Sequence, residues 1–125
     1  MTRVTGRYLY AIARGITDDD LAALTGLREG PVRGIDLGGL TAVVSDVGLE
    51  EFGDEGLRRN LEDLGWLEEV ARTHHAVVQE VAARAPTAPL RLATIYLDDD
   101  AVRSRLREWH DALDRTLARI EGRTE

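Results

Sequence analysis

Cysteine is absent from the 125 residues. That excludes disulfides, thiolate metal sites and cysteine nucleophiles together, and it fits a reducing compartment. Lysine is absent too, so all 16 basic residues are arginines. Nucleotide bias in the source genome explains this better than selection for phosphate binding, because most of the arginines alternate with acids along helical stretches, as on a solvated face. Basic charge is also short overall. The formal net charge is −7, and such a field repels nucleic acid unless a basic patch is locally dense. No apolar run approaches the roughly 18 residues that cross a bilayer. Met1–Arg7 has no apolar stretch for a secretory signal. The expectation from these absences is a cytoplasmic chain. Nucleophile and metal signatures are missing as well: there is no GxSxG, SxxK or HExxH.

What remains is an ordinary globular composition, with 43% hydrophobic and 31% charged residues. The length suits one domain, expected to span 1–125, with a core that needs no staples. Tyr8–Ala13 is apolar on both faces and reads as a central strand. Thr17-Asp-Asp-Asp20 reads as a capped start to a short helix over 18–27. Gly30-Pro31 breaks it. Val32–Leu37 and Leu40–Val47 read as a hairpin joined by Gly38-Gly39, a pair suited to a turn with positive φ at both central positions. Gly48–Gly56 is a polar connection ending near Asp54, a candidate helix cap.

Leu57–Ala82 then reads as one long amphipathic helix, with Leu57, Leu61, Leu64, Leu67, Val70, His74, Val77 and Val81 spaced by three and four. Leu61, Leu64, Leu67, Val70 and Val77 are expected to be buried. Pro86 and Pro89 lie between this helix and a fourth strand expected over Leu90–Leu97. Asp98 or Asp99 is expected to cap a last helix with the stripe Val102, Leu106, Trp109, Leu113, Leu117 and Ile120. The order is βαββαβ plus a C-terminal helix. That is an α+β, ferredoxin-like fold with strand order 4-1-3-2, strands one and three expected parallel in the centre and strands two and four at the edges. There is no internal repeat and no low-complexity segment.

Each polar cluster has a structural reading that outweighs a functional one. His74 and His75 are adjacent on a helix, point about 100° apart and cannot chelate one ion together. Neither Glu80 nor the pair His110 and Asp111 completes a metal set. His74 falls in the apolar stripe and reads as a hydrogen-bonded residue of the core or its boundary. The two Asp-Asp-Asp runs sit where helices begin and read as caps rather than cation sites. Gly38-Gly39 enters a strand, whereas a phosphate loop enters a helix. Asp63 and Glu69 lie among helical surface charges. RNA binding would need aromatics across the central strands; Tyr8, Tyr10 and Tyr96 are present, but Leu40–Val47 has none. Arg91, flanked by Leu90 and Leu92, reads as a buried cation paired internally, with Asp46 or Glu69 as partner. No catalytic, cofactor-binding or metal-ligating residue is assigned, and no cofactor is expected. A regulatory or small-molecule-binding ferredoxin-like module is the alternative these features leave open.

The run Leu57–Leu67, the step Ala71-Arg-Thr-His74, and Pro89-Leu-Arg-Leu-Ala-Thr-Ile-Tyr96 followed by Asp98-Asp-Asp-Ala-Val102 resemble the gas vesicle proteins of the F/L type (GvpF/GvpL). Tyr8-Leu-Tyr-Ala-Ile12 and Ile35–Val47 are similar to that family too, in the family's order. The resemblance implies a ferredoxin-like domain in a gas vesicle accessory protein, one that acts in assembly rather than catalysis. Its partners would be the small hydrophobic shell protein and other accessory proteins, at the gas vesicle or in the cytoplasm. Family members are roughly twice this long and carry a second, C-terminal domain, so the chain resembles an N-terminal domain. An exposed apolar area near strand four or the last helix is expected to follow, used in partner contacts or self-association.

Overall fold

The structure is a computed structural model and describes residues 4–121. Strand β1 (Thr5–Arg14) is central, β2 (Arg33–Leu37) and β3 (Leu40–Gly48) form a hairpin, and two short strands, β4 (Thr87–Pro89) and β5 (Ile95–Tyr96), share the other side of β1. The order β2-β3-β1-β4/β5 is the 4-1-3-2 pattern, with both edges where the sequence places them. The central pair is antiparallel, not parallel: Thr5 faces Gly48 and Arg14 faces Leu40. The hairpin explains this. Helix α1 (Asp18–Ala22) carries the chain from β1 across to β2 in the same direction as β1, and the tight turn then reverses β3 against both. That turn has Gly38 at φ 56 and Gly39 at φ 87, the geometry the two glycines permit.

The sheet is covered on both faces. One face packs against α1, α2 (Leu49–Phe52), α3 (Asp54–Asn60) and α4 (Leu64–Ala82). Its core holds Tyr8, Tyr10, Leu21, Val43, Phe52, Val70, Val77 and Val81. The other face packs against α5 (Asp99–Glu121), whose Val102, Leu106 and Leu117 meet Leu9, Ile12, Ile35, Leu40 and Val44. Trp109 and Leu113 are partly buried on the same side; Ile120 falls outside the described side chains. A bulge makes the two faces fit. The register slips between Leu9 and Ala11, so Tyr10 and Ala11 both face the α4 side while Leu9 and Ile12 face α5.

Several elements differ from the sequence reading. The helix expected over 57–82 is broken at Leu61–Asp63. Asp63 caps α4 by accepting from the N–H groups of Gly65 and Trp66, and Asp54 is the first residue of α3 rather than its cap. Leu61 and Leu64 are exposed, Leu64 at 79%, and Leu67 is half-buried. The stripe that packs is Val70, His74, Val77 and Val81, with Trp66 beside Phe52. Strand four is also split: it begins at Thr87, breaks at Leu90–Thr94 around Ala93 (φ 65), and resumes for two residues. The break sits opposite the bulge in β1, where an uninterrupted ladder has no matching partner.

The helix starts follow local rules. Thr17 accepts from the Asp20 N–H and Asp20 accepts from the Thr17 N–H, both at 3.1 Å. Asp98 caps α5 through the Ala101 N–H at 2.8 Å. Helix α1 ends earlier than expected because the chain turns inward at Gly26, where an added Cβ would collide with Ser45 Oγ and approach Tyr10 Oη.

Candidate functional site

The broken edge of the sheet is held by side chains rather than by a ladder. Tyr8 stands fully buried on β1, and its hydroxyl lies 2.8 Å from His74 Nδ1 and 3.1 Å from the Ala93 N–H. His74 Nε2 lies 3.0 Å from the Leu90 carbonyl. A carbonyl can only accept, so Nε2 carries the proton, Nδ1 is the acceptor, and Tyr8 donates to it while accepting from Ala93. One imidazole and one phenol thus satisfy both ends of the break. Burial holds the His74 pKa below the ordinary 6.5 and pushes the Tyr8 phenol up. His74 is therefore the hydrogen-bonded boundary residue that its stripe position indicated.

A second buried relay holds the loop after α1. Leu27 N–H donates to Tyr10 Oη, Tyr10 donates to Ser45 Oγ, and Ser45 donates to the Pro31 carbonyl, each at 2.9 Å. Beside it, Arg28 and Glu29 have φ of 57 and 55. This left-handed pair is costly for residues with a Cβ. Arg28 is fixed there by Glu51 of α2 and by Glu69 of α4, the latter at 2.8 Å, and Glu51 also accepts from Trp66 Nε1 at 2.7 Å.

The third polar group joins three strands to α5. Asp99 accepts from Arg7 Nε at 2.6 Å and from Arg33 Nη2 at 2.8 Å, and Arg33 also reaches Asp46 at 2.9 Å. Both arginines hold the Asp99 carboxyl well below the ordinary carboxylate range, with Arg33 contributing more.

Arg91 is a correction. It is exposed, and its carbonyl accepts from Thr94 Oγ1. It lies in the turn that splits strand four, so the alternation that suggested burial does not operate. Asp46 and Glu69, its expected partners, serve Arg33 and Arg28 instead. Tyr8 and Tyr10 have no exposed surface, so neither can stack on a base, while Tyr96 is half-buried with Arg105 against its ring. His75 and Glu80 are exposed; Glu80 pairs with Arg84 one turn on. His110 lies 2.8 Å from the Gly38 carbonyl, tying α5 to the hairpin. Among the described residues no group of three or more His, Cys, Asp or Glu is placed to hold a metal ion, and no helix is long and apolar enough to cross a membrane. The residues sequence reasoning missed are Arg7, Arg33 and Asp99. Their only signal is charge at strand and helix ends, which many solvated residues share.

Residues 6–125 match the family model described as gas vesicle synthesis protein GvpL/GvpF. The chain is 38% identical over 119 residues to gas vesicle protein L of a Streptomyces species, an alignment covering 95% of this chain and 45% of that protein. The crystal structure of the gas vesicle protein GvpF from Anabaena superposes with a TM-score of 0.67 at 24% identity, covering 94% of this chain and 44% of that one. GvpF from Microcystis aeruginosa gives 0.66 at 20% identity, with the same coverage. These two likenesses carry the fold. The chain thus spans somewhat under half the length of the relatives it matches.

Proposed function

The chain belongs to the gas vesicle synthesis protein GvpL/GvpF family, and we propose that it serves gas vesicle formation as a non-enzymatic accessory protein. Its task in this reading is to bind the small hydrophobic shell protein, alone or with other accessory proteins, in the cytoplasm or at the vesicle. The observation that carries the reading is the family match along residues 6–125. The architecture supports it in kind: the polar networks join this chain's own strands and helices to one another, which suits a rigid binding scaffold.

Binding of this sort needs shape and apolar surface and no bond-making step. Co-expression tests it. The shell protein, produced with this chain, is expected to stay in the supernatant and to co-purify with it. A shell protein that pellets alone, with this chain left soluble and unbound, overturns the reading.

A further inference from the structure

Beside the free end of the sheet lies an open groove of about 660 Å³ between the α2–α3 corner and β5. Its apolar lining includes Phe52, Leu57, Ile95 and Leu97. Leu97 is 67% exposed, a large aliphatic side chain left in water at the mouth of an apolar trough. Among the described residues, the outer side of β5 carries no strand. Its polar lip is acidic: Asp54 and Glu55 line the groove, both are exposed, and no arginine among the described residues lines it. Among the described residues neither carboxylate is paired with a cation, whereas Glu51 nearby is held by Arg28. Their place in the first turn of α3 favours them locally but leaves two negative charges facing the trough.

We propose that this groove docks a short segment of a partner protein that presents aliphatic anchors flanked by arginine or lysine. Apolar lining sets the anchors, and the acidic lip selects the flanking charge and rejects acidic segments. The inference rests on the reading that the chain works by binding another protein, and it names the chemistry of what is bound.

The test is selection of a random displayed peptide library on the intact chain. The selected peptides are expected to be rich in Leu, Ile or Val with at least one basic residue. Their synthetic versions should bind less tightly as salt is raised and lose about tenfold or more in affinity to Leu97→Ser and to Glu55→Arg. Both changes are at exposed positions, and circular dichroism checks that each variant folds as wild type does. Selected peptides without basic enrichment, peptides indifferent to both substitutions, or no selection at all would overturn the proposal. Capture of the shell protein separates the two readings. If wild type and both variants capture it equally and the peptides ignore both substitutions, the docking proposal fails while shell binding stands. If wild type captures none yet the peptides bind in the groove, the shell reading fails and the groove stands.

Discussion

Tyr8 and His74 fix each other's protons, and the break in the edge strand depends on that pairing. Removing the phenol oxygen in Tyr8→Phe strands the Ala93 N–H and His74 Nδ1 in a half-buried site. The expected cost is about 1–3 kcal/mol in urea melts, with faster amide exchange confined to 90–95. A cost under about 0.5 kcal/mol would show that water takes over both bonds. The two histidines give opposite pH slopes. The His74 pKa is lowered from 6.5 in the folded state, so the unfolded chain binds the extra proton. Its contribution to stability is complete above 6.5 and is lost as pH falls through the folded value. The His110 pKa is raised, chiefly by the Gly38 carbonyl, so its contribution is present below 6.5 and is lost as pH rises through the folded value. Melts at a series of pH values should therefore show a shallower loss on acidification in His74→Gln and a steeper one in His110→Gln. Equal slopes in all three proteins would remove both assignments. His74 was legible because it occupies an apolar helical position, where an imidazole needs partners. Arg91 was misread because flanking leucines imply burial only within a continuous strand.

At the scale of elements, α4 shows what periodicity can and cannot supply. Its stripe from Val70 to Val81 packs as the spacing indicates. The stretch Leu57–Leu67 carries the same spacing, yet it is bent by the cap at Asp63. A side chain that accepts two backbone N–H groups ends one helix and begins another, and an apolar count does not register it. Leu64→Ala should thus change stability by less than about 0.5 kcal/mol. Val70→Ala, at a position with no exposed surface, should cost about 1.5–3 kcal/mol. Thermal melts of the two variants settle the facing of the helix; equal costs would mean that Leu64 is buried after all. Asp63→Ala should cost about 1 kcal/mol as a lost cap. The split of strand four had no sequence cue: Pro86 and Pro89 lie before the break, Pro89 still faces Ala11 in the sheet, and the bulge opposite lies in an unremarkable apolar run.

At the scale of the molecule, the decisive feature is that α5 closes the second face of the sheet. The apolar character of both faces of β1 and β3 was legible, and so were the edges and the strand order. The antiparallel sense of the central pair follows from the hairpin and the crossover, once the connections are traced rather than the strands alone. Which element covers the second face was not legible, because a terminal amphipathic helix can pack on either side. Its docking rests on apolar contact along Val102, Leu106 and Leu117 and on the Asp99 pairs at its first turn. The two differ in weight. Leu106→Ala should cost about 2–5 kcal/mol, since the side chain is 1% exposed. Asp99→Asn removes pairs that are partly open to solvent, so its cost should be about 1 kcal/mol or less. The Asp99 pKa is depressed below 3.8 when folded, so its contribution is present above that value and is lost as pH falls through the folded one; the mutant's deficit should shrink in acid. If packing dominates, α5 unfolds together with the sheet. Amides near Leu106 would then exchange only through global opening, in wild type and in Asp99→Asn alike. If the ion pairs dominate, Asp99→Asn would release α5 below the global transition and uncover Leu9, Ile12 and Ile35, and an apolar dye would bind before the sheet melts. We expect a single transition with no dye binding ahead of it, because the apolar area along α5 far outweighs three charges that are partly open to solvent.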